Sequence, residues 1–128
     1  ADAQLIDQPM AAAIGANLPI SEPVGNMVVD IGGGTSESAL LSLGGVVALE
    51  AVRVGSFDID AAIKDYVRRE YGLAIGERTA EEINRHIGSA ASPPYEGRVE
   101  VKGREVMSGV PKTVVLTSVE IRRAIEEP

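Results

Sequence analysis

The sequence has 128 residues, enough for one domain of ordinary size, and 45% of them are hydrophobic. One Phe, three Tyr and no Trp predict a core built from aliphatic side chains. The formal net charge of −7 argues against broad contact with a nucleic-acid backbone or an anionic membrane surface. The chain has no cysteine, which excludes disulfides and thiolate zinc sites and fits a reducing cytoplasm.

The two ends of the chain carry no targeting signal that the sequence makes visible. No apolar run reaches the roughly 20 residues of a membrane span. The first residues lack a basic region followed by an apolar one, so no signal peptide is expected. Ala3 to Ile6 resembles the end of a strand with nothing before it, and the chain stops just past a predicted helix. We therefore expect a fragment of a longer protein.

The first half of the chain predicts one helix followed by an antiparallel meander. Proline suits a first helical position and alanine favours helix, so "PMAAAIGA", residues 9–16, is predicted to be helical. Short β-branched runs bounded by turn residues predict three strands, at residues 27–31, 39–43 and 46–54. Gly44-Gly45 is expected to form the two-residue hairpin turn between the second and the third strand.

The second half predicts three helices and two further stretches of strand. Ser56 is expected to cap the first helix, which ends at Gly72. Four apolar residues of that helix fall on one face at helical spacing: Ile59, Ile63, Tyr66 and Val67. Two later helices are each expected to begin with a capping box, formed by Thr79 with Glu82 and by Thr117 with Glu120. Residues 99–106 alternate in a pattern that predicts a hairpin, with Gly103-Arg104 near its turn, and residues 112–116 predict another strand.

A glycine-rich loop follows the first strand, in "MVVDIGGGTSES". Consecutive glycines allow a tight turn and close approach of a ligand, and successive N–H groups can converge on an anion. Asp30 lies two residues before the loop, and a carboxylate beside a phosphate calls for a divalent cation such as Mg²⁺. The alternative is a plain hairpin turn with Asp30 facing water. The loop matches neither the Walker A pattern nor the Rossmann fingerprint.

Longer segments carry a resemblance that is more specific than the loop. "MVVDIGGGTSESALLSLGGVV" resembles the second phosphate-binding segment of the superfamily that contains actin, heat-shock chaperone ATPases and sugar kinases. "LIDQPMAAAIGANLP", "YVRREYGLAIGERTAEEI", "HIGSA" and "VKGREVMSGVPKTVVLTSVEIRRAIEEP" are similar to the MreB/Mbl family of bacterial actins. The resemblance implies an incomplete α/β fold: an actin-like, RNase H-like ATPase subdomain with a smaller α/β subdomain inserted. Residues 1–55 would begin the larger subdomain, residues 56–116 would form the insertion, and residues 117–128 would begin the return.

The resemblance also implies roles for individual residues. Asp30 would act on Mg²⁺ through its water, and the loop residues would hold the β- and γ-phosphates: Gly32, Gly33, Gly34 and Thr35. Gly55 and Ser56 would give another backbone approach to the nucleotide. Glu81 and Asn84 would contact adenosine, although the family usually has lysine at the position of Asn84. Gln8 stands where the family usually has a glutamate that positions or activates water. An amide cannot act as a base, so slow hydrolysis is expected.

The function that the resemblance implies belongs to the full-length protein. Such a protein would bind ATP and Mg²⁺, hydrolyse ATP, polymerise with itself into membrane-associated filaments, and maintain rod cell shape by organising cell-wall synthesis. It would lie in the cytoplasm at the inner face of the membrane, reach the membrane and the cell-wall machinery through parts outside this chain, and bind no nucleic acid. Two alternatives stay open: a hydrolysis-deficient scaffold, and a non-filament chaperone or sugar-kinase ATPase. The fragment alone is expected to bind nucleotide weakly or not at all.

Overall fold

The computed structural model describes residues 3–92 and 94–128 and shows a mixed α/β fold. The chain forms two compact units, of which the first ends at Ser56 and the second runs from Phe57 to Pro128. The elements of the described residues follow in chain order: α1 (Gln8–Gly15), β1 (Asn26–Ile31), β2 (Ser36–Ser42), β3 (Gly45–Val52), α2 (Ser56–Tyr71), β4 (Leu73–Ala74), α3 (Glu77–Ile87), β5 (Arg98–Glu105), β6 (Pro111–Thr117) and α4 (Ser118–Ala124). No helix in the described part of the chain is long and apolar enough to cross a membrane.

The first unit consists of α1 and an antiparallel sheet in the order β1-β2-β3. The predicted helix and meander are therefore confirmed. A small core holds the helix on the sheet through Ala13, Ala39 and Leu41, with Met10 and Val28 packed against it. The small side chain of Ala13 lets α1 approach the sheet closely. The first residue of α1, Gln8, then lies beside Asp30, near the C-terminal end of β1.

The predicted turn between β2 and β3 is shifted by one residue. Ser42 pairs with Gly45, so the turn consists of Leu43 and Gly44 rather than Gly44-Gly45. Leu43 has φ +50° and Gly44 has φ +74°. Positive φ at both central positions is the geometry of a type I′ turn, whose twist matches that of the flanking strands. The required strand register outweighs the preference for glycine at Leu43.

The second unit packs helices against an antiparallel sheet in the order β4-β5-β6. The predicted apolar face of α2 is confirmed, since Ile63 and Val67 are fully buried and Ile59 and Tyr66 pack against the same core. Gly72 ends the helix as predicted, with φ +61°. The predicted cap, Ser56, is instead the first residue of α2. The rest of the buried core comes from the other elements of this unit: Leu73, Ala80, Ile83, Ile87, Val101, Val114, Leu116 and Ile121.

Two local predictions in this unit are wrong. Helix α3 begins at Glu77 after Gly76, so Thr79 lies inside the helix and caps nothing. Glu82 instead pairs with Arg78, one turn earlier, at 3.2 Å. Residues 98–105 form the single strand β5, not a hairpin with a turn at Gly103-Arg104.

Gly103 is required by strand packing and not by a turn. A Cβ on Gly103 would lie 2.6 Å from the carbonyl oxygen of Ala74 and 2.7 Å from Cγ of Leu73. Strand β4, the antiparallel neighbour of β5, therefore lies too close to Gly103 for any side chain at this position. The turn that follows β5 lies at residues 106–110 and contains Gly109 with φ +71°.

The predicted capping box at the start of α4 is confirmed. Thr117 Oγ1 accepts from the Glu120 N–H, and the Glu120 carboxylate accepts from the Thr117 N–H at 2.9 Å. The same carboxylate accepts from the hydroxyls of Tyr71, at 2.5 Å, and Tyr66, at 3.4 Å. Glu120 thus joins α4 to the end of α2. In this structure residues 117–128 group with the second unit, while the division into subdomains at 55 and 116 stays a prediction.

Candidate functional site

Gln8 and Asp30 lie in direct contact. Gln8 is the first residue of α1, next to Pro9, and its Nε2 donates to Oδ2 of Asp30 at 2.7 Å. A carboxylate only accepts hydrogen bonds, so the donor end of the Gln8 amide must point at Asp30. Oε1 of Gln8 is consequently turned away from the carboxylate.

Asp30 owes its position to the alternation of β1. Asp30 alternates with Val28 and Asn26 on the half-buried face of that strand, while the other face is exposed and carries Met27, Val29 and Ile31. Val28 packs against the core under α1, so Asp30 lies on the side of the helix. Directly across the ladder, Asp30 pairs with Glu37. Like charges opposite each other are unfavourable in a sheet, and the Gln8 amide supplies Asp30 with a compensating donor.

The glycine loop is a tight connection between β1 and β2. The N–H of Gly32 donates to the carbonyl oxygen of Thr35 at 2.8 Å. No group in the described part of the chain accepts a hydrogen bond from the N–H of Gly33 or Gly34. A Cβ built on Gly34 would meet nothing within 4 Å. Nothing within the fold requires a glycine at position 34, so the open space is suited to a group that approaches from outside.

The segment after β3 holds the loop from the other side. The N–H of Ser56 donates to the carbonyl oxygen of Gly32 at 2.9 Å, and Ser36 Oγ donates to the carbonyl oxygen of Val54 at 2.7 Å. A Cβ on Gly55 would lie 2.5 Å from the carbonyl oxygen of Gly33. The backbone of Gly55 is therefore in contact with the loop. Sequence reasoning missed Ser36, for which only its place after the glycines gave a signal.

Glu81 and Asn84 lie on α3, in the second unit. Glu81 is exposed, whereas Asn84 is half-buried and its Nδ2 donates to Oδ1 of Asp60 at 3.3 Å. Asp60 lies on α2 and is only 9% exposed. Its spacing from Ile63 and Val67 places Asp60 on the buried face of α2.

The oxygen atoms available as metal ligands around Asp30 are few, which suits a hard cation that is bound mainly by water and phosphate. One carboxylate oxygen of Asp30 is engaged by Gln8, which leaves the other for a metal-bound water. No group of three or more His, Cys, Asp or Glu in the described residues could hold a metal by itself. Magnesium fits such a site because it retains several waters and is held by one or two carboxylates and the substrate phosphates.

A pocket of about 300 Å³ adjoins the start of α1. Its lining comes from α1, its preceding residue, β2 and β3: Asp7, Gln8, Pro9, Glu37, Val46 and Leu49. Gln8 belongs to both this pocket and the candidate site, whereas no residue of the glycine loop lines the pocket, so the pocket borders the site at the start of α1.

The fold and the loop define a class of protein, the actin-like ATPase fold. MreB5 of Spiroplasma citri bound to ADP superposes with a TM-score of 0.90 at 36% identity, over 94% of this chain and 37% of that chain. MreB5 bound to AMPPNP superposes with a TM-score of 0.87 at 37% identity, over 92% and 35%. The predicted actin-like α/β fold is confirmed.

The sequence places the chain within this class. It matches the MreB/Mbl protein family over residues 1–128, and the chain belongs to that family. The cell shape-determining protein MreB of Escherichia coli strain K12 is 55% identical over 124 residues, which is 97% of this chain and 36% of that protein. The chain thus spans about 36% of the length of such relatives.

Proposed function

We propose that the full-length protein binds ATP with Mg²⁺ and that this chain supplies the groups around the terminal phosphates. The observation that carries the proposal is the contact between Gln8 and Asp30. The N–H groups of Gly33 and Gly34 would donate to phosphate oxygens, and Thr35 would add its hydroxyl. The relatives in the superposed structures are MreB5 proteins bound to ADP and AMPPNP, which supports a nucleotide as the ligand.

Asp30 and Gln8 would each orient a different water molecule. Magnesium, when bound, neutralises developing charge on the phosphates. Asp30 would orient a metal-bound water through Oδ1 while Oδ2 holds the Gln8 amide. Gln8 would then present Oε1 as an acceptor that orients the attacking water. Because an amide accepts no proton, this arrangement contributes orientation and not base catalysis, and we expect slow hydrolysis.

Four further residues would shape the loop or contact the nucleotide: Gly55, Ser56, Glu81 and Asn84. Gly55 and Ser56 hold the loop in shape, and their backbone would lie near the nucleotide. Glu81 and Asn84 would contact adenosine, as the resemblance implies. Asn84 has part of its hydrogen-bonding capacity engaged by Asp60, so we expect its contribution to be smaller than that of a lysine.

The cellular role we propose follows from the family. Relatives are cell shape-determining proteins. We infer that the full-length protein assembles with itself into filaments in the cytoplasm, at the inner face of the membrane, and organises cell-wall synthesis. Contacts with the membrane and the cell-wall machinery would come from parts outside this chain. The net charge of −7 supports the absence of nucleic-acid binding.

A second candidate function is a scaffold that binds nucleotide but does not hydrolyse it. The observation that favours it is the amide at position 8, which lacks a basic group and is hydrogen-bonded to Asp30. In such a protein the Gln8–Asp30 contact would hold α1 on the sheet rather than orient water.

Phosphate release by the full-length protein with ATP and Mg²⁺ separates these functions. The wild type should release phosphate slowly, Gln8→Glu should release it faster because a carboxylate can accept a proton, and Asp30→Ala should abolish release. A wild type that binds ATP without releasing phosphate would support the scaffold. Absence of both binding and release would refute the proposed nucleotide site.

A further inference from the structure

Asp60 is a nearly buried carboxylate with few partners. It is 9% exposed on α2, and Asn84 donates to it at 3.3 Å. No Lys, Arg or His within residues 3–92 and 94–128 forms an ion pair with it. A buried charge is costly unless it is paired or hydrogen-bonded. A single neutral amide is weak compensation, so packing and stability do not explain an aspartate at this place.

The contacts of Asn84 fix which end of its amide is available. Nδ2 points at Asp60, as it must because a carboxylate only accepts. Oδ1 of Asn84 lies against Gly88, where a Cβ would overlap both Oδ1 and the backbone oxygen of Asn84. The acceptor end is therefore turned toward the backbone at the end of α3. Nδ2 carries a second hydrogen besides the one that points at Asp60, and this hydrogen is the donor available to a ligand.

We propose that Asp60 is a positioning residue that makes Asn84 a hydrogen-bond donor toward an acceptor atom of the nucleoside, a ring nitrogen or a ribose oxygen. The inference rests on the proposed function, because it assumes that Asn84 contacts the nucleoside. Without the charge at position 60 the Asn84 amide can rotate by half a turn and present its carbonyl oxygen. The acceptor on the nucleoside would then face another acceptor, and the contact would be lost.

The test is equilibrium binding by the full-length protein and its Asp60→Asn variant. Asparagine keeps the size of the side chain and removes the charge. The ligands are ATP and inorganic tripolyphosphate, which shares the phosphates and lacks the nucleoside. One hydrogen bond of ordinary net strength corresponds to about two- to tenfold in affinity. We expect Asp60→Asn to lose about that factor for ATP and nothing for tripolyphosphate. Asp65→Asn, the same substitution on the exposed face of α2, is the matched control.

Asn84→Ala distinguishes positioning from a structural role. If Asp60 acts through Asn84, the single variant Asn84→Ala loses the same factor for ATP, and adding Asp60→Asn costs nothing further. Unchanged ATP affinity in either single variant would overturn the proposal, as would a further loss in the double variant. If Asp60→Asn does not fold, Asp60→Ala, which also removes the charge, replaces it in the same comparison, and unchanged ATP affinity in Asn84→Ala overturns the proposal in either case. A wild type that fails to bind ATP refutes the proposed function itself, which is a different outcome.

Discussion

Gly34→Ala distinguishes a phosphate-binding loop from a plain hairpin turn. A Cβ at position 34 meets nothing within 4 Å, and Gly34 is not among the described glycines with positive φ. The substitution is therefore compatible with the fold. Where alanine fits the backbone of a glycine, it stabilises a protein by about 0.4–1 kcal/mol, because the unfolded chain loses freedom. We expect the melting temperature of the full-length protein to stay the same or to rise slightly.

Nucleotide affinity should respond in the opposite direction. If a phosphate oxygen approaches the N–H of Gly34, the new methyl group occupies part of that space. Loss of one hydrogen bond to a charged group costs about 1.5–3 kcal/mol, which is on the order of 10- to 100-fold in Kd. Titration with a fluorescent ATP analogue in the presence of Mg²⁺ measures this loss. Gly15→Ala is the control, because it also adds a Cβ in open space but lies at the end of α1.

Gly55→Ala provides the contrasting case. Its Cβ would lie 2.5 Å and 2.6 Å from the carbonyl oxygens of Gly33 and Gly32, so the loop has to shift. Overpacking of this kind costs about 1–3 kcal/mol, and both stability and affinity should fall. The reasoning is refuted if Gly34→Ala binds ATP as tightly as the wild type while Gly55→Ala behaves as described. The loop would then be a structural turn only.

Four further predictions concern the second unit. The Glu120 carboxylate accepts hydrogen bonds from Thr117, Tyr66 and Tyr71. Glu120→Gln should therefore lower the free energy of unfolding, measured by urea denaturation, by about 1–3 kcal/mol. Equal stability of variant and wild type would contradict this. The hydrogen bond to Glu120, together with burial, raises the pKa of Tyr71 from 10.0 to about 12. The stabilisation is therefore full below pH 10 and is lost as the pH rises toward 12. Tyr71→Phe should show a smaller loss in urea denaturation at each pH, because burial and Glu120 also raise the pKa of Tyr66, which remains. Burial raises the pKa of Glu120, but hydrogen bonds from Tyr71 and Thr117 lower it more, to a value below 4.5. Stabilisation is thus present above pH 4.5 and lost in acid, and a flat acid limb in wild type would be inconsistent with this. Gly103→Ala should cost about 1–3 kcal/mol through contact with the backbone of Ala74, and an unchanged melting temperature would refute the close approach of β4 to Gly103.

The two predicted capping boxes show where sequence patterns are sufficient and where they fail. Both have threonine followed three residues later by glutamate. At Thr117 the pattern comes directly after a strand, and the helix has no earlier place to begin. At Thr79 the helix begins two residues earlier, where Gly76 adopts an extended conformation and accepts the first helical hydrogen bond. Local pattern identifies a possible cap, and the path of the preceding chain decides which residue is used.

The glycines also show that a local sequence pattern does not always reveal the role of a residue. Gly72 ends a helix with positive φ, as its place after an apolar face predicts. Gly103 resembles a turn residue in sequence but lies inside β5, because the short strand β4 approaches it. A two-residue strand leaves almost no trace in sequence, so this contact was not predictable.

The candidate site was predictable as a set of residues, but its contacts were not. The glycine loop, Asp30 and Gln8 were singled out from motif and resemblance, while the hydrogen bond between Gln8 and Asp30 depends on how α1 packs on the sheet. Asp60 was missed as a partner of Asn84, although its position on the apolar face of α2 was visible. Contacts between segments that are far apart in the sequence can be predicted only when the packing of the helices and strands that carry them is known.

The most direct test of the central claim is a structure of the full-length protein with Mg²⁺ and AMPPNP. The account predicts terminal phosphate oxygens within hydrogen-bonding distance of the N–H groups of Gly33 and Gly34. Gln8 should still donate to Asp30 and should direct Oε1 toward the terminal phosphate. A nucleotide bound elsewhere, or a glycine loop without contact to phosphate, would contradict the account.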